Sequence, residues 1–118
     1  MSKSDEKTIK ITDQVIKELK LWICENLEEH ITIDVISERA GYSKWYLQRM
    51  FRKMTGISLA RYVRETRLSR AAHDLETTNY TVSEIAFRYG FLNQQAFTRV
   101  FTRHFLLPPG KWRTEHKR

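Results

Sequence analysis

The sequence predicts an all-α protein in which two helix-turn-helix subdomains, with about seven helices in total, are joined by a long linker helix. Three observations support this fold class. Apolar residues recur at helical spacing along nearly the whole chain, and no run alternates as a half-buried strand would. Glycines and capping residues punctuate the chain at short intervals. The pattern of a short helix, a glycine turn and a second helix occurs twice.

The first helix is predicted over Asp13–Leu27, after a polar and charged segment, residues 1–12, that we expect to be a flexible N-terminal extension. The apolar residues of this helix fall on one stripe at helical spacing. They are Val15, Ile16, Leu19, Trp22, Ile23 and Leu27. Such a stripe packs against other helices, so this helix belongs to the first subdomain, predicted to span residues 13–57.

Two short helices complete the first subdomain. Thr32 can accept a hydrogen bond from the free amides at a helix start, and Gly41 can end that helix in the left-handed conformation. Ser43 can cap the next helix, which runs to Thr55 before Gly56. The pair forms the first helix-turn-helix.

The linker helix is predicted over residues 58–77, because apolar residues continue there at helical spacing. The second subdomain then occupies residues 78–118. Thr81 and Glu84 form a T-x-x-E capping box, which predicts a short helix that ends at Gly90.

Asn93 can cap a further helix, which runs to His104 or Phe105. Pro108 and Pro109 end it, because proline lacks the amide that a helix interior needs. A short basic tail with about one helical turn is expected after the prolines.

The two helix-turn-helix copies align with each other over much of their length. When Thr32 is set beside Thr81, apolar, arginine and glycine positions match, and one extra residue enters the second turn. The matched pairs are Ile36 with Ile85, Arg39 with Arg88, Gly41 with Gly90, Leu47 with Phe97, Arg49 with Arg99, Met50 with Val100 and Phe51 with Phe101. A repeat built only for packing would share the apolar matches, so the polar matches say more about function.

The second helix of the first copy carries two different faces. At about 100° per residue, an apolar stripe falls on one side and a polar stripe nearly opposite. The apolar stripe is Leu47, Met50, Phe51 and Met54, and the outward stripe is Trp45, Gln48, Arg49 and Arg52. Tryptophan is costly to leave in water, so Trp45 either covers a neighbouring helix or meets a partner.

The second copy repeats these two faces. Its apolar stripe is Phe97, Val100, Phe101 and His104 or Phe105, and its outward stripe is Gln95, Thr98, Arg99 and Thr102. Arginine can donate two hydrogen bonds to guanine, glutamine can pair with adenine, and an apolar group can contact the thymine methyl. Both outward faces lack acids and combine these groups, which predicts that they read base edges in the major groove of double-stranded DNA.

The net charge of +7 is unevenly placed. Residues 39–70 contain nine arginines and lysines but a single acid, Glu65. Such an excess is either a solvated basic surface or a binding site for a polyanion, because neutralised phosphates release condensed counterions. Charge alone therefore makes nucleic acid a candidate partner without identifying a site.

The composition argues against several other classes of protein. No segment has the pattern of a membrane span or signal peptide, so we expect no membrane association and a cytoplasmic protein, associated with the nucleoid when bound to DNA. The single cysteine, Cys24, excludes an internal disulfide and a multi-cysteine zinc site. The histidines are scattered and no catalytic motif is present, which predicts no enzyme activity, metal or cofactor. His104 is expected to pack in the core.

The length of the linker helix sets a geometric expectation. Leu59–Leu75 spans 17 residues, about 25 Å at the α-helical rise. With the width of the subdomains added, two recognition helices could lie about 34 Å apart, which is one turn of duplex. One chain could then enter two successive major grooves without dimerising, and a rigid spacing would require the DNA to bend.

Three stretches within residues 15–113 resemble the DNA-binding domain of the AraC/XylS family of bacterial transcription activators. They are GYSKWYLQRMFRKMTG, YGFLNQQAFTRVFTRHF and PPGKWR. The similarity is greatest to the short stand-alone Mar/Sox/Rob type, which activates genes for tolerance of antibiotics, organic solvents and oxidative stress. The resemblance implies that the third and sixth helices enter neighbouring major grooves of an asymmetric promoter site and that the protein binds as a monomer. An activator must also contact RNA polymerase. We expect no separate effector-binding domain of the kind that the larger family carries, and the resemblance then implies control by protein abundance.

Carried onto this sequence, the family's base contacts fall on both recognition helices. They are Trp45, Gln48 and Arg49 in the first and Gln94, Gln95, Thr98 and Arg99 in the second. The resemblance also implies phosphate contacts from helix N-termini and from nearby basic residues, namely Arg39, Lys44 and Arg64. Two positions depart from the family pattern: Asn93 replaces the usual serine cap, and Leu106 stands where many relatives have glycine.

Two alternatives to an activator stay open. A transcriptional repressor could bind similar sites, because groove recognition does not determine the sign of regulation. A helical protein–protein adaptor could use the basic linker helix, and it would show no preference among duplexes.

Overall fold

The computed structural model describes residues 3–29 and 31–118, with side chains from Ile11 onward. Every regular element in these ranges is an α-helix, which confirms the predicted class. In chain order the helices are α1 (Lys3–Glu25), α2 (Ile33–Ala40), α3 (Lys44–Thr55), α4 (Leu59–Thr77), α5 (Val82–Arg88), α6 (Gln94–Phe105) and α7 (Pro109–His116). None of these helices combines the length and apolar content needed to cross a bilayer.

The helix starts confirm the predicted caps. The hydroxyls of Thr32 and Ser43 each accept a hydrogen bond from the backbone amide three residues on, at 3.2 and 3.1 Å. Thr81 and Glu84 form the complete capping box. The Asn93 side chain caps α6 in the same way, at 2.7 Å. Each such cap contributes about 0.5–2 kcal/mol through neighbours in sequence, which is why the pattern alone predicted it.

Two helices are longer than the sequence predicted. α1 begins at Lys3 rather than Asp13, so residues 3–12 of the expected flexible extension are helical, while residues 1 and 2 lie outside the described ranges. The apolar stripe begins only at Val15, but residues 3–12 contain no proline or glycine to end the helix. α7 has 8 residues rather than one turn, and Pro109 occupies its first position, where a missing amide is tolerated.

The backbone divides into two compact units. One contains α1, α2, α3 and the start of α4 through Val63, and the other continues from Arg64 through α5, α6 and α7. Glu28 and Glu29, in the loop after α1, belong to the second unit. The helix predicted as a separate linker is therefore shared between the two units.

The core of the first unit is formed by apolar side chains of α1, α2, α3 and α4. Ile23, Leu47 and Phe51 are fully buried, and the Phe51 ring lies 5.4 Å from that of Tyr62. Met54, which the periodicity placed on the core stripe, is 37% exposed. It lies in the last turn of α3, beside the end of the helix, where the core no longer covers it.

The core of the second unit is aromatic. Phe97 and Phe101 are fully buried, and Trp112 of α7 meets Phe101 edge to face at 5.8 Å. Phe105 is half-buried and lies 4.7 Å from Trp112, whereas His104, which was expected in the core, is exposed. Only one of the two adjacent residues can face inward, and phenylalanine gains more from leaving water than histidine does.

Two polar contacts hold the end of the second unit on α4. The Arg113 guanidinium of α7 donates to three main-chain carbonyls at and after the end of α4, at distances of 2.5–3.3 Å. The Tyr89 hydroxyl donates to the Asp74 carboxylate at 2.6 Å. Burial and this hydrogen bond raise the pKa of Tyr89 above its usual value, so the phenol stays protonated.

α6 ends on a leucine in the left-handed conformation. Leu106 has a φ of 64°, while the corresponding residues after α2 and α3 are Gly41 and Gly56, with φ of 77° and 83°. This conformation costs a residue with a side chain about 1–2 kcal/mol. The Leu106 side chain is 83% exposed, so little burial offsets that cost.

We expect Leu106→Gly to raise the free energy of unfolding by about 0.5–1 kcal/mol. Glycine removes the left-handed strain but loses more freedom on folding, which leaves a modest net gain. Urea denaturation measures the change. The matched opposite substitution is Gly56→Ala, where no atom lies within 4 Å of the added Cβ, and it should destabilise through the backbone alone. A less stable Leu106→Gly protein would contradict the strain argument.

Candidate nucleic-acid interface

α3 presents its polar face on the side opposite the core. Trp45 is 64% exposed, and Gln48 and Arg49 are exposed as well, while Leu47 and Phe51 are fully buried. The buried side chains determine the rotation of the helix, so the outward residues face solvent together. The structure therefore does not support the alternative in which Trp45 covers a neighbouring helix.

Trp45 and Arg49 contact each other across one helical turn. The guanidinium carbon of Arg49 lies 4.5 Å from the centroid of the indole ring. A cation–π contact at an exposed site contributes about 0.5–1 kcal/mol. It also restrains two side chains before they bind, which reduces the entropy that binding would otherwise cost. The pair borders a surface cavity of about 610 Å³ that extends along α3 to Arg52 and Lys53.

α6 presents an equivalent face in the second unit. Gln94, Gln95 and Arg99 are exposed, and Thr98 is half-buried. On the opposite side Phe97 and Phe101 are fully buried. Thr98 is therefore the least accessible of the predicted base contacts, and only a group that comes close to the helix can reach it.

Both helix starts favour an anion. Among the described residues of α3 and α6, neither first turn contains an acid. The unpaired amides of a helix N-terminus carry partial positive charge and bind anions such as phosphate. α3 adds the positive charge of Lys44 at its start.

Lys44, a predicted phosphate contact, forms an ion pair with Asp34 of α2. The distance from Nζ to Oδ1 is 2.8 Å, and both side chains are more than half exposed. An exposed pair of this kind contributes about 0–1 kcal/mol, so a phosphate could displace Asp34 at small cost. The sequence did not reveal this pair, because its partners lie on different helices.

The other predicted phosphate contacts are accessible. Arg39 is exposed in the last turn of α2, and Arg64 is exposed on α4. The structure distributes the predicted residues between the units. Arg39, Lys44, Trp45, Gln48 and Arg49 belong to the first, and Arg64, Gln94, Gln95, Thr98 and Arg99 to the second. Each unit thus carries a set of its own.

Sequence reasoning missed one exposed residue beside the second face. Leu92 is 93% exposed and directly precedes Asn93, the cap of α6. The signal available in the sequence was the extra residue in the second turn of the repeat.

Comparison with protein families and curated proteins gives a consistent result. Residues 36–115 match a family model described as a helix-turn-helix domain. The multiple antibiotic resistance protein MarA of Escherichia coli K12 is 47% identical over 92 residues, which cover 78% of this chain and 72% of MarA. The regulatory protein SoxS of Salmonella typhimurium is 45% identical over 100 residues, which cover 85% of this chain and 94% of SoxS.

Solved structures have the same fold. The DNA-binding domain of AdpA, a global transcriptional factor crystallised with a target DNA, matches with a TM-score of 0.79 and 30% identity, over 85% of this chain and 90% of that one. A regulator with an AraC-type DNA-binding domain from Chromobacterium violaceum matches with a TM-score of 0.83 and 27% identity, over 88% and 93%.

Fold and exposed faces together define the class of this protein as a helix-turn-helix transcription regulator with two such motifs in one chain. Within that class the similarity to MarA and SoxS is specific and covers most of the sequence. The chain belongs to the AraC family.

We expect Arg49→Ala to lower the free energy of unfolding by no more than about 1 kcal/mol, because only an exposed cation–π contact is lost. Phe51→Ala, two residues away on the buried side, should cost about 3–5 kcal/mol. Urea denaturation of both variants tests the separation of the two faces. If both variants lost a comparable free energy of unfolding, Arg49 would be a structural residue and not one available to bind a ligand.

Proposed function

We propose that this protein is a sequence-specific DNA-binding transcription factor that inserts α3 and α6 into successive major grooves of one duplex. One observation carries the proposal: in each unit, exposed amide and guanidinium groups lie on the helix side opposite fully buried phenylalanines. The relatives support it, since AdpA was crystallised with a target DNA and SoxS is a regulatory protein.

The exposed groups suit different base edges. The guanidiniums of Arg49 and Arg99 can each donate two hydrogen bonds to O6 and N7 of guanine, which discriminates against another base by about 1–3 kcal/mol. Amide side chains can pair with adenine, and the indole ring or a threonine methyl can contact a thymine methyl. The residues that supply these groups are Gln48, Gln94, Gln95, Trp45 and Thr98.

Contacts to the phosphates would orient the protein on the duplex. Arg39, Lys44 and Arg64 are exposed, and the N-termini of α3 and α6 add backbone amides. These contacts carry little sequence information, but they release counterions and make the affinity depend on salt.

The two recognition faces differ in chemistry, which favours an asymmetric DNA site. α3 offers an indole, one glutamine and an arginine, whereas α6 offers two glutamines, a threonine and an arginine. A single chain that carries both faces can bind both half-sites as a monomer. α4 has 19 residues, about 28 Å along its axis, a length compatible with half-sites one turn of duplex apart.

We further propose that the protein activates genes for stress tolerance and multidrug resistance, in the cytoplasm and through contact with RNA polymerase. Support comes from the multiple antibiotic resistance protein MarA, which is 47% identical over the matched residues. Activation requires a site placed where the bound protein meets the polymerase, and the same DNA contacts placed elsewhere would repress.

We expect Arg49→Ala and Arg99→Ala each to weaken binding to the cognate duplex by about 1–3 kcal/mol, with a smaller loss on random DNA. Lys44→Ala should weaken binding to both duplexes alike and reduce the slope of log affinity against log salt by about one. Fluorescence anisotropy, with a duplex that the wild-type protein selects from a random library, measures all three. Equal losses on both duplexes for every variant would contradict base recognition and favour the adaptor.

Asp34→Asn should strengthen binding to cognate and random duplexes alike, by up to about fivefold, because it releases Lys44 from its ion pair. Asp13→Asn is the matched control. It makes the same charge change at another exposed ion pair, with Lys17 of α1, where the distance is 3.1 Å. If both variants gained equally, net charge rather than the release of Lys44 would explain the effect.

A further inference from the structure

Leu92 is left in solvent at the start of the second recognition helix. Its side chain is 93% exposed in the turn between α5 and α6. Single exposed leucines are common on protein surfaces, so exposure by itself assigns no role. The position of Leu92 in the repeat, together with the contacts of its neighbouring residues, indicates which role it has.

The second turn is one residue longer than the first. In the first copy only Tyr42 separates Gly41 from the cap Ser43, whereas Phe91 and Leu92 separate Gly90 from the cap Asn93. The extra residue therefore lies in the turn before α6, the helix whose outward face carries the predicted base contacts.

Phe91, and not Leu92, packs against α6 from the preceding turn. The residue before a helix cap often packs on the fourth residue of the helix, which in α6 is Phe97. In this turn the residue before the cap is Leu92, but Phe91, one residue earlier, makes the contact instead, since its ring centroid lies 5.1 Å from that of Phe97. The Phe91 amide also donates to the Ala86 carbonyl at 3.0 Å, so the turn is held in place and Leu92 points outward.

We propose that Leu92 contacts the C5-methyl group of a thymine in the major groove that α6 enters. This inference rests on the proposed function. Residues at the N-terminal end of a recognition helix face base edges, and Gln94 and Gln95, two and three residues after Leu92, are exposed. A leucine cannot hydrogen-bond, and the thymine methyl is the apolar feature of the major groove. Asn93 is occupied by capping, because its side chain accepts the Ala96 amide at 2.7 Å.

This contact would give the second half-site a preference that the first cannot share. The first copy has no residue equivalent to Leu92 in its shorter turn. Leu92 would therefore add to the asymmetry of the site and help to determine the direction in which the protein lies on the DNA.

The test removes single methyl groups from the DNA. The probe is the duplex that the wild-type protein selects from a random library, with each thymine replaced in turn by uracil, which keeps base pairing. We expect one replacement in the half-site of α6 to weaken wild-type binding about fourfold, the effect of losing one buried methyl. Leu92→Ala should weaken binding to the original duplex by a similar factor. Replacing that thymine by uracil should then cause no further loss of affinity in the variant. The control is Leu106→Ala, at another exposed leucine of the second unit. For this variant, the same uracil replacement should weaken binding as much as it does for the wild-type protein.

Several outcomes would overturn the proposal. One is that the losses of affinity from Leu92→Ala and from uracil add up. Another is that no uracil replacement weakens binding of the wild-type protein. A third is that Leu92→Ala loses activation but keeps its affinity for the duplex, which would assign Leu92 to a protein partner. The melting temperature of Leu92→Ala should equal that of the wild type, because the side chain is exposed. Arg99→Ala separates the two levels of inference. If it reduces the preference for the cognate duplex while the losses from Leu92→Ala and uracil are additive, the proposed function stands and the assignment of Leu92 fails.

Discussion

Complete burial of one side of each recognition helix is the constraint on which the rest of the structure depends. Phe51 in α3 and Phe101 in α6 are sealed from solvent, and each is held by aromatic neighbours. Burying such a side chain stabilises the fold by about 1.5–3 kcal/mol, so the helix cannot rotate without losing that energy. Because an α-helix has 3.6 residues per turn, the same packing aims Arg49 and Arg99 outward. The same buried contacts therefore stabilise the fold and orient the outward face.

The two copies of the motif use this arrangement for different chemistry. In the first, Arg49 is restrained over the Trp45 ring, which combines a flat apolar surface with a charge. In the second, amides and a guanidinium line the helix, and a longer turn places Leu92 in solvent before it. Two copies with identical outward residues and turns would present equivalent faces. The differences lie in the outward residues and in one inserted residue.

Several basic side chains are engaged in contacts within the protein and are therefore not available to a polyanion. Arg88, which the repeat matches to the exposed Arg39, is bound by Glu28 at 2.5 Å and lies 3.7 Å from Asp74. Arg113 is committed to the carbonyls near the end of α4. A count of basic residues therefore overstates the charge available to a polyanion, and Lys44 is reached only in competition with Asp34. The outward arginines matter for their position more than for their number.

The sequence by itself determined the helices, their caps and the two faces of α3 and α6, because these follow from hydrogen bonds and side-chain directions within a few residues of chain. It therefore predicted Thr32, Ser43 and Asn93 as caps and the outward face of Gln48 and Arg49, but it left open whether Trp45 covers a neighbouring helix. Only the tertiary structure decided that Phe105 rather than His104 packs against Trp112, that Phe91 packs on Phe97 and leaves Leu92 in solvent, and that Asp34 holds Lys44. Each of those outcomes depends on which helix lies alongside, and periodicity along one helix contains no information about its neighbours.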